Sequence, residues 1–225
     1  VTGHDSKVFC GFRGDGKEFL DLCRRSEQDG RMIDYEKYVN HIESRPGTQV
    51  FIPAGTIHAS GRNQLVLELG SVMIGGYTYK MYDYNRREKD GRLRPIHTKL
   101  AETALKTERD REWVNKNSVI APVKLQENES YSEYRIGFNE QMDYETHRIN
   151  LKTCKTYQGQ NNGKFTMLAV VDGEAVQIRA KDNPEYFYRA KYLDVVIVPS
   201  TISEYEIVAE GKQPVVIHKT VIRER

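Results

Sequence analysis

The 225 residues suffice for one large β domain or two small ones, and for a sizeable core. With 38% hydrophobic and 29% charged residues and a formal net charge of +2, the chain reads as an ordinary globular protein and gives no electrostatic reason to expect nucleic acid or an anionic membrane as partner. Cys10, Cys23 and Cys154 are scattered and form no CxxC pair, and no signal peptide or bilayer-length apolar run is visible, so a disulfide framework and a cysteine zinc site are disfavoured and a cytoplasmic location is expected.

In chain order, Lys7 to Phe12 reads as a strand. A helical insert over 15–43 is expected next: Phe19, Leu20, Leu22 and Cys23 have helical spacing, and Asp34 is placed to cap a second short helix carrying Tyr35, Tyr38, Val39 and Ile42. Ser44-Arg-Pro-Gly47 is a turn. Short strands are expected at 49–52, 64–69 and 78–84, with Lys80, Tyr82 and Tyr84 sharing one face of the last. Residues 86–94 form a charged loop, and a helix is expected from about Thr98 to Trp113. Beyond it come strands at 120–125, 131–138, 145–152, 165–171, 174–180, 192–198, 204–208 and 214–222, divided by Gly, Asn and Asp turns. Many short strands at this spacing predict a sandwich or barrel. The expected division is 1–112 and 113–225, with the seam near 110–118.

One stretch carries chemistry. Gly47, Pro53, Gly55, His58 and Asn63 read G-x5-P-x-G-x2-H-x4-N, which resembles the second motif of the cupin superfamily with one extra residue before Asn63. Proline and glycine make a sharp turn, and the strand after it presents an imidazole to a barrel mouth, where small-molecule sites commonly lie. A neutral imidazole there suits a transition metal. His58 is the candidate metal ligand; His41, His97, His147 and His218 are read as ordinary structural histidines. The fold class expected is mostly β: two cupin-like jelly-roll units with a short helical insert and a linking helix.

The resemblance narrows further. Phe51-Ile-Pro-Ala-Gly-Thr-Ile-His58-Ala, Leu65-Val-Leu-Glu68, Tyr77-Thr-Tyr-Lys80-Met-Tyr-Asp83-Tyr-Asn-Arg86 and Gly91-Arg-Leu-Arg-Pro-Ile-His97 follow one another as in class I mannose-6-phosphate isomerases. The match covers about residues 45–105; residues 118–225 are similar to the family's C-terminal cupin-like domain in strand pattern only. The resemblance implies a zinc ion held by an upstream Gln-x-His pair, an upstream Glu and the histidine that His58 matches. The upstream ligands have no counterpart here, so the chain is expected to be the C-terminal portion of such a protein and to bind zinc weakly or not at all by itself. The family's active-site arginine falls on Lys80, which keeps the charge but loses the planar fork. Around Gly70–Gly76 the sequence departs again: Gly75-Gly76 sits in an apparent two-residue insertion, and an active-site aspartate is missing.

The implied activity of the complete protein is aldose–ketose isomerisation of a sugar phosphate of the mannose 6-phosphate/fructose 6-phosphate class, with Lys80 as the catalytic cation and Arg86 contacting substrate. Arg87, Arg92 and Arg94 are weaker candidates, and Glu68 is a further candidate to face the cavity. The alternative is a non-enzymatic sugar-binding or regulatory cupin module. A metallo-cupin oxygenase is disfavoured for want of a His-rich first motif. In the second barrel Glu204 falls where His58 would be, and with no histidine beside it that barrel is read as structural and metal-free.

Overall fold

The computed structural model describes residues 3–70 and 76–223. The chain forms two compact units, Val1–Val119 and Ile120–Arg225. The elements in chain order are β1 (Lys7–Phe12), α1 (Gly16–Asp29), a 3-10 turn (Tyr35–Lys37), β2 (Val39–Glu43), β3 (Gln49–Val50), β4 (His58–Ser60), α2 (Thr98–Ala104), α3 (Arg111–Asn117), β5 (Val119–Ile120), β6 (Val123–Glu127), β7 (Tyr131–Gly137), β8 (Tyr144–Leu151), β9 (Thr156–Gln160), β10 (Thr166–Asp172), β11 (Ala175–Ala180), β12 (Phe187–Lys191), β13 (Val195–Val198), β14 (Glu204–Glu210) and β15 (Val215–Ile222).

In the first unit β1 is the middle strand of a three-stranded antiparallel sheet, with β2 on one side and β4 on the other. The register sets Cys10 opposite His58 and Phe9 opposite His41. The Asp15 carboxylate caps α1 by accepting from the Lys17 and Glu18 backbone N–H groups, and Gly30 ends the helix in the left-handed conformation. Helix α1 turns Phe19, Leu20 and Cys23 onto Phe9, Phe12, Ile33 and Val39, which form one buried cluster.

The second expected helix is not formed. A single 3-10 turn covers Tyr35–Lys37, and Val39 to Glu43 pairs with β1 as a strand. The β-branched Val39 and Ile42 lose little by leaving a helix, and the cross-strand partners on β1 decide the outcome. The strands expected at 64–69 and 78–84 are also absent. Neither segment forms a strand of the three-stranded β2-β1-β4 sheet. Leu65, Val66 and Leu67 are accordingly 48%, 52% and 39% exposed. Lys80, Tyr82 and Tyr84 therefore do not share a strand face. The single helix expected over 98–113 is two short ones, because the Asp110 side chain recaps the chain at the Trp113 N–H after the Leu105–Arg109 break.

The second unit matches the sequence reading closely. A six-stranded sheet in the order β13-β10-β15-β8-β7-β6 faces a four-stranded sheet in the order β12-β11-β14-β9, all pairs antiparallel. Ile149, Leu151, Leu168 and Ile217 from one sheet and Tyr157, Val176, Tyr205 and Ile207 from the other belong to one buried core. Two of these strands, β9 and β12, carry no apolar alternation. Strand β9 contains Gly159, where a Cβ would overlap the Tyr205 ring lying across it. Strand β12 is an edge strand whose residues are mostly exposed.

Candidate functional site

The turn that delivers His58 is built from local rules. Gly55 adopts φ +84°, and a Cβ there would run into the Ala104 carbonyl. Thr56 closes the turn by donating its hydroxyl to the Pro53 carbonyl (2.8 Å). The Arg109 guanidinium clamps it from outside, donating to the Pro53 and Ala54 carbonyls (3.0 and 2.8 Å) and to the Thr56 hydroxyl. Arg109 also stacks on Trp113 at 4.8 Å. At the far end of the motif Asn63 takes φ +59° and donates its side-chain amide to the His4 carbonyl.

His58 is exposed at the start of β4, and its Nδ1 lies 2.9 Å from the Thr56 carbonyl. A carbonyl only accepts, so Nδ1 carries the proton and the Nε2 lone pair is left available. This backbone-carbonyl anchoring of one ring nitrogen is the arrangement that orients metal-ligating histidines.

A cleft of about 400 Å³ is lined by His58, Tyr77, Tyr79, Lys80 and Tyr82, among others, with Phe9 and Phe19 in its floor. His58 and Lys80 thus meet in the lining of one cavity. Arg86 does not line it; it borders a neighbouring hollow of about 190 Å³ together with Asp83 and Arg94. Asp83 connects the two places. Its carboxylate lies 3.1 Å from Arg94, and 3.9 Å from both Lys80 and Arg86. The remaining candidates are placed elsewhere. Arg87 donates to the Gly91 carbonyl and Arg92 pairs with Asp90, so these loop cations are bonded to their own loop. Glu68 is exposed on the irregular 64–70 segment. Glu204 is exposed and paired with Lys181 at 2.9 Å. The Gly75 departure lies outside the described residues, as do all of residues 71–75.

Among the described residues no three His, Cys, Asp or Glu side chains converge on a point that could hold a metal ion. A catalytic zinc needs about three protein ligands plus an open position. The described residues, with His58 alone at the cleft, therefore do not fit a zinc site by themselves.

Three features escaped the sequence reading. Arg109 is one, since nothing local marks it as the clamp on a turn more than fifty residues upstream. The second is His97, which accepts the Lys80 backbone N–H at Nδ1 (3.2 Å) and approaches the Tyr77 hydroxyl with Nε2 (3.1 Å). The third lies in the core of the second unit. Glu133 approaches His147 Nδ1 at 2.6 Å, accepts from Lys219 Nζ at 2.5 Å, and accepts the Tyr157 hydroxyl at 3.2 Å; His147 Nε2 reaches Glu145 at 2.8 Å. Burial opposes ionisation of Glu133, yet the His147 hydrogen bond and the Lys219 charge outweigh it and hold the carboxyl down at about 2. Burial and the Glu133 charge push the Tyr157 phenol far up. His147 is thus a bonded core histidine. Strand alternation held a signal for this cluster, because Glu133, His147 and Lys219 each fall two residues from a buried apolar neighbour: Tyr131, Ile149 and Ile217.

No family model matches the chain. Mannose-6-phosphate isomerase ManA of Bacillus subtilis is 24% identical over 208 residues, covering 90% of this chain and 57% of that protein. A second Bacillus subtilis protein assigned to the same activity, GmuF, is 34% identical over 97 residues, 43% of this chain and 28% of its own. Among solved structures, an Archaeoglobus fulgidus protein assigned to the mannosephosphate isomerases superposes with a TM-score of 0.59 over 97% of this chain and 58% of its own, at 13% identity, which is a likeness of fold. The chain therefore spans somewhat more than half the length of ManA and of that structure. Over nine-tenths of its length the chain is similar in sequence to the mannose-6-phosphate isomerase ManA, and over nearly all of it similar in fold to the Archaeoglobus fulgidus protein.

Proposed function

We propose that this chain is the His58-bearing part of a mannose-6-phosphate-isomerase-like protein, and that the His58–Lys80 cleft takes a sugar phosphate of the mannose 6-phosphate/fructose 6-phosphate class. The observation that carries the reading is the meeting of His58 and Lys80 in one cleft, with the imidazole anchored through Nδ1 and its Nε2 lone pair free.

Aldose–ketose isomerisation moves a proton between C1 and C2 through an enediol, so the site must tolerate negative charge on the sugar oxygens. Lys80 supplies a cation for that charge or for the phosphate, held near the cleft by its main-chain bonds to His97. Asp83 lies beside its ammonium, and Arg94 and Arg86 gather on the same carboxylate in the neighbouring hollow. Completing a three-ligand metal shell around His58 requires donors from outside the described residues, so no step is assigned to a metal here. In this reading the first unit is the isomerase-like cupin segment, and the second is a structural, metal-free cupin-like unit whose core holds the Glu133 network. The incomplete donor set is also the observation that favours the second reading, a sugar-binding or regulatory module without turnover.

Calorimetric titration with mannose 6-phosphate and fructose 6-phosphate tests the cleft. Binding is expected, weakened about 10-fold or more by Lys80→Ala, as for a hydrogen bond to a charged group. No heat with either sugar phosphate would sink the assignment. A coupled assay separates the two readings. Turnover is expected only from a longer product and is abolished there by His58→Ala; turnover by the 225 residues alone would show that the donor set is complete after all, and binding without turnover in both leaves the sugar-binding module.

A further inference from the structure

His97 stands at the head of α2, where its main chain is fixed on two sides. Its N–H donates to the Lys80 carbonyl (2.6 Å), and its own carbonyl accepts the Ala101 N–H (2.8 Å). The ring is fixed as well. The Lys80 backbone N–H is always a donor, so Nδ1, 3.2 Å away, must offer its lone pair. The proton of the neutral ring is therefore on Nε2, and the group facing it at 3.1 Å is the Tyr77 phenol. The two rings meet edge to face at 5.3 Å and 85°, and Tyr79 packs on Tyr77 at 5.2 Å.

The direction of this hydrogen bond has a chemical consequence. The Tyr77 oxygen accepts from His97, so its single hydroxyl proton is directed elsewhere, and Tyr77 lines the cleft. We infer that Tyr77 is a substrate-contacting hydrogen-bond donor of this cleft and that His97 is the positioning residue that sets its donor sense. His58 and His97 then hold opposite tautomers: His58 presents a lone pair to the cleft, whereas His97 spends its Nε2 proton on the phenol. With the Lys80 ammonium, the cleft offers two donors, Tyr77 and Lys80, and one lone pair. That set matches a ligand rich in acceptor oxygens, as a phosphorylated sugar is. The inference rests on the reading of the cleft as the sugar-phosphate site, and it names the group that would bind a second oxygen beside the one Lys80 holds.

The test has one arm independent of ligand and one that needs it. Long-range proton–nitrogen correlation spectra of the 225-residue chain are expected to show His97 with Nδ1 unprotonated and Nε2 protonated; the opposite tautomer overturns the inference whatever binds. Titration with mannose 6-phosphate is expected to give Tyr77→Phe an affinity about three- to tenfold below wild type, the loss of one hydrogen bond. Tyr77→Phe removes a single exposed oxygen, so folding is not at stake, and the Trp113 fluorescence transition verifies this. His97→Ala is expected to weaken binding by at least as much, any excess over Tyr77→Phe reporting the Lys80 N–H that the ring also holds, and the Tyr77→Phe/His97→Ala double variant is expected to bind no more weakly than His97→Ala, since the phenol contact is already lost there. Wild-type binding by Tyr77→Phe, with Lys80→Ala weakened, removes Tyr77 and leaves the cleft assignment standing. Binding that neither variant weakens places the ligand elsewhere and removes both, and a wild-type chain that binds no sugar phosphate removes the ligand role together with the cleft.

Discussion

Replacing Glu133 by Gln should cost the second unit more than most single changes to this chain. The side chain is 7% exposed and carries the only negative charge in direct contact with both Lys219, 12% exposed, and His147 Nδ1 among the described residues. Glutamine keeps the volume but leaves a buried ammonium without its counter-charge. The structure gives the size of the effect. A carboxyl at about 2 in the fold, against an ordinary 4.5, corresponds to about 3 kcal/mol at neutral pH. The usual cost of breaking a buried ion pair from one side is also about 3–5 kcal/mol. The sign of the pH dependence follows. The folded-state value is depressed, so this stability is fully present above about 4.5 and is lost as pH falls from there towards 2. Trp113, the sole tryptophan, lies in the first unit, so the second unit is best followed by amide hydrogen exchange in β7, β8 and β15. Glu133→Gln should lower protection there by about 3 kcal/mol at pH 7, with the gap to wild type closing as the pH drops through 4 and 3. Equal protection at pH 7, or a gap that does not change with pH, would refute the electrostatic account of this core.

Other outcomes follow from the same contacts. Gly55→Val combines a side chain with φ +84° and an overlap with the Ala104 carbonyl; the first unit should lose about 1–3 kcal/mol by Trp113 fluorescence, and sugar-phosphate binding should fall with it as His58 is displaced. Unaltered stability would mean that the turn adjusts freely. Gly159→Ala should destabilise the second unit by about 1–3 kcal/mol in exchange measurements, because its Cβ meets the Tyr205 ring, and it should leave the Trp113 transition where it is.

Much of this protein was already determined by local sequence. Turn residues and period-two alternation located most strands of the second unit, because there each strand has one face on a shared core and its pattern must match. The P-x-G turn before His58 was legible for a similar reason: Gly55 needs a backbone that other residues resist, and that need is written in a single position. The order of short motifs from Phe51 to His97 was legible as a family resemblance. Elsewhere, partners in the fold decided the outcome. Residues 39–43 carry a helical spacing and become a strand because β1 offers them cross-strand partners, whereas residues 64–69 and 78–84 alternate like strands and form no strand of that sheet. The same holds for the site. Strand alternation can turn Glu133 inward, but only the pairing of β7, β8 and β15 brings it to Lys219, 86 residues away, and only the facing sheet brings the Tyr157 phenol to it. Arg109 and His97 carry no motif for what they do, because a guanidinium on a distant turn and an imidazole tautomer set by another residue's N–H are properties of packing. Sequence chooses which groups are present, which local shapes are cheap and which neighbours cap a helix or close a turn; the tertiary structure decides which donor meets which acceptor across the fold.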